Sequence, residues 1–532
     1  KKLEIGEIVD PNPLIFDDKF AKSLDKTVTS HFLSIRATSL GQNSSGTGKK
    51  MRVSLFELMN NSNIERGSNA RTSVMSFGKI SFPVKTCTMI NLTLLSACGT
   101  FYMGYNEAVF DTMEEHMHSL FEGTYKSGLS TIMTLVTTAL TVGAIFGAFF
   151  SGMITNKYGR KNTLLFFDLI AMVGTALTLI ENPFVIIAGR VFTGFCLGGF
   201  TMVSRLYMIE MSPIHLRPRC MAIIEVLEMF GVQLAYLFGL GFYNNVVGNS
   251  GYWWRIMFGL NLAICGLHFV ITLLFYNFDT PLYSYVKYKD EAYTKEIMLK
   301  IYENEEDVNV VYKELEKLSE EIDQQNRISF SDLFKIPKFR LRCFIGFIIC
   351  AGSVFVGSDA LIFYSNTIFL SYTNSQTSTV YTNVIGFAQL VASFIAVTFV
   401  EHLGRRKLFI FGFSGLCFLL ISSGLFFLFE IHGPIFYFML AIISLNVTTV
   451  GPCTHLYNAE ILPEKGLALG YSIYYASKVL LTLTFKPIVD SALDYHGLFF
   501  LYAFFTLSVL IFVLFKVRET FGKTLSQLEA LY

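Results

Sequence analysis

Long apolar stretches recur along this chain with a regularity that a membrane explains. Runs of roughly 20 residues, enough to cross ~30 Å of hydrocarbon as helix, lie near 84–110, 128–154, 163–180, 184–209, 221–242, 254–277, 341–369, 379–400, 408–430, 435–459, 467–489 and 498–516. Inside lipid a backbone must satisfy its own hydrogen bonds, so runs of this kind fold as helices. A polar stretch, 285–338, divides them six and six. Its Lys313, Glu314, Glu316, Lys317, Glu320 and Glu321 recur at helical spacing, as on a solvated helix. The expectation is an all-α membrane protein of about twelve transmembrane helices in two six-helix halves, 81–284 and 339–516. The 285–338 stretch is then a helical linker, and polar tails cover 1–80 and 517–532.

Composition agrees and excludes several classes. Charged residues make up 16% of the 532, where a soluble chain carries about 25%. A net charge of +1 points to no nucleic-acid partner. The nine cysteines fall inside apolar runs or near their ends without metal-ligand spacing or a loop pair, so they read as small core residues. Gly46-Thr-Gly-Lys49 lacks the upstream glycine and preceding strand of a phosphate loop. No nucleophile–base constellation stands out, so neither an enzyme nor a metal or cofactor is expected. The Gly/Ser/Asn-rich 1–80 tail has a composition that orders only against a protein partner. The chain starts at Lys1 rather than Met, as a fragment or a processed chain would.

Basic residues set the orientation. Lys157, Arg160, Lys161, Arg217, Arg219, Arg405, Arg406, Lys407 and Lys465 follow the second, fourth, eighth and tenth runs, while Asp111, Glu114, Glu115, Asp490 and Asp494 occupy the alternate ends. Both termini and the linker are therefore expected on the cytoplasmic (or matrix-like) side. The halves also repeat. Asn156-Lys157-Tyr158-Gly159-Arg160-Lys161 is echoed by Glu401-His402-Leu403-Gly404-Arg405-Arg406, and Tyr207-Met-Ile-Glu210 by Tyr457-Asn-Ala-Glu460, in the same order. A duplicated six-helix unit with its site near the midplane is the layout of a secondary transporter.

At these residues the chain resembles the sugar porter family of the major facilitator superfamily. Gly152 to Lys161 is similar to the family's G-x-x-x-D/N-R-x-G-R-R, Tyr207 to Arg217 to its Y-x-x-E-x-S-P-x-x-x-R, and Arg518 to Leu525 to its P-E-T-K-G-K-T-L. Phe278 to Leu282 is a weakened P-E-S-P-R, and Gly104-Tyr105-Asn106 resembles the family's first-span motif. The resemblance implies two inner-gate charge clusters, one of Lys157, Arg160, Glu210 and Arg217 and one of Arg405, Arg406 and Glu460, that pair when the cavity faces outward.

It also shows where this chain departs. Where the family binds sugar with Gln, Asn and Trp, the corresponding positions are Glu225, Ser353, Asp359, Gln389, His455 and Lys478. Ionisable residues inside a membrane mark function by default, so these are the substrate-binding candidates. Lys478 is expected to pair with Asp359. Glu225 is left for substrate, a proton or Arg205, and Glu228 lies one turn away, where it could share a proton with it. Coupling candidates are Asn106, Glu107, Arg190 and Glu228. Asn106 stands where proton-coupled members have Asp and cannot titrate, so facilitative transport of a small polar solute, hexose-like or charged, is expected. Arg205 replaces a proline that helps bend the family's fourth span, which puts that bend in question here. The alternative is a scaffold subunit that keeps the fold within a larger membrane assembly with little or no transport.

Overall fold

The structure, a computed structural model, describes residues 83–521 apart from 124, 126–127, 214–215, 244–251, 277 and 327–329. The 1–80 tail, the partner inferred to hold it, and 522–532 of the C-terminal tail lie outside the described residues.

Six long helices come first: α1 (Thr86–Glu122), α2 (Leu129–Tyr158), α3 (Arg160–Thr178), α4 (Pro183–Met211), α5 (Arg217–Gly239) and α6 (Trp253–Phe275). Four shorter ones follow: α7 (Pro281–Tyr288), α8 (Glu291–Ile301), α9 (Glu305–Asn326) and α10 (Asp332–Lys335). The second group is α11 (Pro337–Phe355), α12 (Ser358–Leu370), α13 (Ser375–His402), α14 (Arg405–Leu428), α15 (Ile435–Thr448), α16 (Val450–Ile461), α17 (Glu464–Val489) and α18 (Asp494–Lys516). Starts are marked by local chemistry. Asn182 accepts from the Phe184 N–H ahead of Pro183, and Asn374 accepts from that of Thr377.

Two apolar runs are each split into a pair of helices. The run read as 341–369 breaks between α11 and α12 at Gly357, whose φ of 86° is left-handed and whose missing Cβ leaves room for the Tyr502 ring. The run read as 435–459 breaks between α15 and α16 at Thr449, at φ −123° and ψ −70°. Helix α4, by contrast, runs unbroken through Arg205 over its 29 residues. Helix α1 has 37 residues, about 55 Å at 1.5 Å per residue, and so overshoots the run read as 84–110.

Among the described residues, ten spans are long and apolar enough to cross a membrane: α2 to α6, α11 with α12, α13, α14, α15 with α16, and α18. Helices α1 and α17 have the length but fall short in hydropathy. The reason is positional. Both turn polar and charged faces toward the centre of the bundle, among them Asn106, Glu107 and Asp111 on α1 and Lys478 and Ser477 on α17, all buried. Close crossings hold α1 in place. A Cβ at Gly104 would collide with the Glu228 carbonyl, and one at Gly231 with that of Phe101, so α1 and α5 meet backbone to backbone.

The short helices cover the end of the bundle that carries the basic loops. Ile297, Met298 and Ile301 of α8 join a core with Met208 and Met211 of α4. The entering chain is fastened there too. Lys85 donates its N–H to the Ile301 carbonyl at 2.8 Å, and Glu303 donates to that of Pro83 at 3.2 Å. Substituting Gly357→Ala forces a left-handed alanine and a Cβ into the Tyr502 ring. We expect it to destabilise the fold by about 1–3 kcal/mol, read as a lowered melting temperature of the purified protein.

Candidate functional site at the centre of the bundle

Six charged side chains from five helices converge at mid-bundle. Lys478 Nζ of α17 lies 2.9 Å from Glu107 Oε1 of α1 and 3.4 Å from Asp359 Oδ1 of α12. One Arg205 nitrogen, NH2 on α4, lies 3.0 Å from Glu228 Oε2 and 3.2 Å from Glu225 Oε2, both on α5. Glu228 is also near enough to Glu107 and Lys478 to interact electrostatically, which joins the two sets into one network. Side-chain exposure is between 1% and 12% throughout. Removing charges this completely from water costs several kcal/mol per ion unless partners replace the solvent, and here each carboxylate has a cation.

The helix breaks place two of these groups. Asp359 is the second residue past Gly357, in the first turn of α12, where exposed N–H groups favour a carboxylate. His455 lies in α16 beyond the Thr449 break. Its ring stacks on Tyr471 at 5.6 Å and meets Tyr474 edge-on at 5.7 Å, and its Nδ1 has no hydrogen-bond partner among the described residues. The amide of Gln389 on α13 is fully buried with neither atom hydrogen-bonded. Ser353 turns instead to its own helix, donating to the Cys350 carbonyl at 2.9 Å.

Lys478 thus meets Asp359, and Glu107 is its nearer partner. The sequence reading has Glu107 as a coupling candidate and does not pair it with Lys478. Asn106 exchanges hydrogen bonds with Asn261 of α6 at 2.9 and 3.2 Å. Arg190 donates to the Asn106 carbonyl at 3.0 Å and lies over the Phe110 ring. Neither reaches the central network by a direct bond in this arrangement.

At the basic end, Arg160 sends Nε and NH2 to Glu210 Oε1 at 3.1 and 2.6 Å, and Thr280 donates to Glu210 Oε2 at 2.5 Å. Asp279, in the segment leading to α7, accepts the backbone N–H groups of Arg160 and Thr280. Burial lifts its carboxyl above the usual range, against the pull of those N–H groups and of Arg160. In the second group Arg405 NH2 lies 3.0 Å from Glu460 Oε1. Glu519 takes the backbone N–H groups of both Arg405 and Arg406. Arg217 is near enough to Glu210 to interact electrostatically, and the other members also bond elsewhere. Arg217 donates Nε to the Ser212 carbonyl, Arg406 donates NH2 to that of Leu514, and Lys157 lies over the Tyr158 ring.

Bonds between the two groups of helices occur at three levels. At the basic end the Asn156 amide donates to Glu464 at 2.9 Å. At the centre are Lys478–Glu107 and the contact between the Thr201 and Tyr475 hydroxyls. Toward the other end Lys486 Nζ lies 2.7 Å from Glu114 Oε1, and Ser365 and Ser375 donate to Asp111 and Glu115. Sequence reasoning passed over Lys486. The signal was present: Glu107, Asp111, Glu114 and Glu115 recur at three- and four-residue spacing on α1, and Lys478 and Lys486 lie eight apart on α17.

A helical bundle with broken helices around a buried polar centre is the architecture of a secondary transporter. The sequence profile of the family described as sugar (and other) transporter matches residues 92–532, and the chain belongs to that family. It is therefore a multi-pass membrane transporter for a small polar solute and not an enzyme. It is 27% identical over 413 residues to the facilitated glucose transporter member 2 of solute carrier family 2 from Sus scrofa, covering 75% of this chain and 77% of that protein. It is 26% identical over 453 residues to the major myo-inositol transporter IolT of Bacillus subtilis, covering 82% and 93%. Among solved structures it superposes on the proton:xylose symporter XylE of E. coli bound to 6-bromo-6-deoxy-D-glucose. The TM-score is 0.73 at 20% identity, covering 84% of this chain and 99% of that one.

Removing Lys478 strands two buried carboxylates. Lys478→Met should destabilise the protein by about 3–5 kcal/mol. Adding Glu107→Gln should recover part of that, with a coupling energy of about 1–3 kcal/mol in a double-mutant cycle, measured by denaturation of the purified protein.

Proposed function

We propose that this chain moves its solute by alternating access, with residues 81–284 and 339–516 as the two rocking halves and 285–338 as the linker that caps them. The observation that carries this reading is the buried Lys478–Glu107 pair, which joins one group of helices to the other at mid-bundle. An ion pair across a moving interface is a two-state element: it holds in one arrangement and parts in another. Asp359 offers Lys478 a second partner within its own half when Glu107 withdraws.

The pairs at the basic end act as the gate. Arg160–Glu210 and Arg405–Glu460 each close within one half, and Asn156–Glu464 spans the two. Opening that end parts the spanning bond and frees the Glu-bearing helix ends to shift. The basic loops support a cytoplasmic or matrix side for this end and for the capping helices with it. Glu225, Asp359, Gln389, His455 and Lys478 form the binding surface. Transport is facilitative at the first-span position, since Asn106 is neutral at every accessible pH and is bonded to Asn261. Relatives named for glucose and for myo-inositol support a polyhydroxy solute of that size.

The test is uptake into proteoliposomes from a panel of radiolabelled hexoses, inositol and amine-bearing polyols. At least one should enter with saturable kinetics, and Arg160→Gln, which opens the gate pair, should reduce that rate by about tenfold. Protein that melts cooperatively yet admits none of the panel would overturn the reading.

A further inference from the structure

Four carboxylates, Glu107, Glu225, Glu228 and Asp359, gather at the centre around two directly paired cations, Arg205 and Lys478, with Arg190 near enough to Glu107 to interact electrostatically and the His455 Nδ1 unbonded among the described residues. The ion pairs engage one oxygen of each carboxylate. A carboxylate has about four lone-pair sites, so each keeps room to accept from a donor on a bound solute.

The surroundings of Lys478 describe the missing group. Its ammonium lies between two carboxylates and over three aromatic rings, at 4.9 Å from the Tyr474 centroid and 5.9 Å from those of Tyr475 and Phe363. Carboxylates with aromatic faces are the chemistry that recognises an ammonium ion. Here the chain's own lysine is the guest. Beside it, the 7%-exposed His455 packs on Tyr474, the ring that lies under Lys478, with its Nδ1 unpartnered. A hydrogen-bonding atom this buried ordinarily has a partner, and a hydroxyl of a bound solute would supply one.

We infer that the solute carries an ammonium group, which docks against Glu107 and Asp359 in the aromatic box while its hydroxyls meet His455. Lys478 is a tethered stand-in for that group. It holds the two carboxylates while the site is empty and gives ground when the solute enters. The inference rests on the transport reading above and narrows its substrate class.

The experiment compares three probes on the full chain in proteoliposomes without a proton gradient: glucosamine, choline and glucose. Uptake is paired with thermal stabilisation by the same compounds in detergent. At least one of the two cations should enter about tenfold faster than glucose and raise the melting temperature where glucose does not. Asp359→Asn and Glu107→Gln, tested separately so that either suffices if the other fails to fold, should remove the preference while leaving a cooperative melt. Glucose uptake equal to or faster than that of both cations would overturn the ammonium inference and leave the transport reading intact. So would a preference that survives both substitutions. Stabilisation by a cation without uptake of any probe would support the ammonium site and remove the transport reading. Neither stabilisation nor uptake would sink both.

Discussion

Charge buried away from water must be answered by charge, and that constraint organises this molecule. Lys478 enters the bundle interior on α17 and finds Glu107 and Asp359; Arg205 enters on α4 and finds Glu225 and Glu228. None of these groups could be held there singly, because the penalty for an unpaired ion in such surroundings exceeds what packing around it returns. The helices that bear them are therefore fixed relative to one another in rotation as well as in position. Turning α1 by one residue would swing Glu107 off Lys478 by about 100°.

The same constraint explains why α1 and α17 are the long helices that fall short of the hydropathy of a membrane span. Lipid-facing helices such as α18 and α14 can be apolar nearly all round. A helix lining a polar axis cannot, and it is sheltered by neighbours instead. Glycines at 104 and 231 let α5 shield α1 at backbone contact, which also brings Glu228 into the field of Glu107. Polar content and tight crossing are two consequences of one central position.

Much of this was legible in the sequence. The recurring runs carry the helices, and the Gly-Arg and Tyr-x-x-Glu repeats carry Arg160–Glu210 and Arg405–Glu460, because a motif fixes which end of a helix a charge sits at. Asp359–Lys478 followed from asking which buried charges need partners. Glu107 did not, since a residue's partner across the bundle depends on helix rotation, which a single strand of sequence leaves open. Arg217 and Arg406, grouped with Glu210 and Glu460 by the family resemblance, each also bond a backbone carbonyl where a helix ends or packs. The break at Thr449 precedes Gly451-Pro452, whose proline has no N–H to offer the Thr448 carbonyl, and the Thr449 hydroxyl bonds back to the Leu445 carbonyl at 2.6 Å.

The vertical arrangement of bonds between α1 and the second group of helices has a mechanical consequence. Glu107, Asp111, Glu114 and Glu115 form a ladder whose partners lie on three different helices: Lys478 and Lys486 on α17, Ser365 on α12 and Ser375 on α13. A rocking motion that opens the acidic end must lengthen the bonds farthest from the pivot first, Glu115–Ser375 and Lys486–Glu114. These are the more exposed members, where water can replace a lost partner cheaply. The bonds nearer the centre, Lys478–Glu107 and Ser365–Asp111, are the most buried. The bonds along α1 thus differ in how readily water can stand in for a partner, most readily at the acidic end. At the basic end Asn156–Glu464 also joins the two groups, and Arg160 is near enough to Glu464 to interact electrostatically across them.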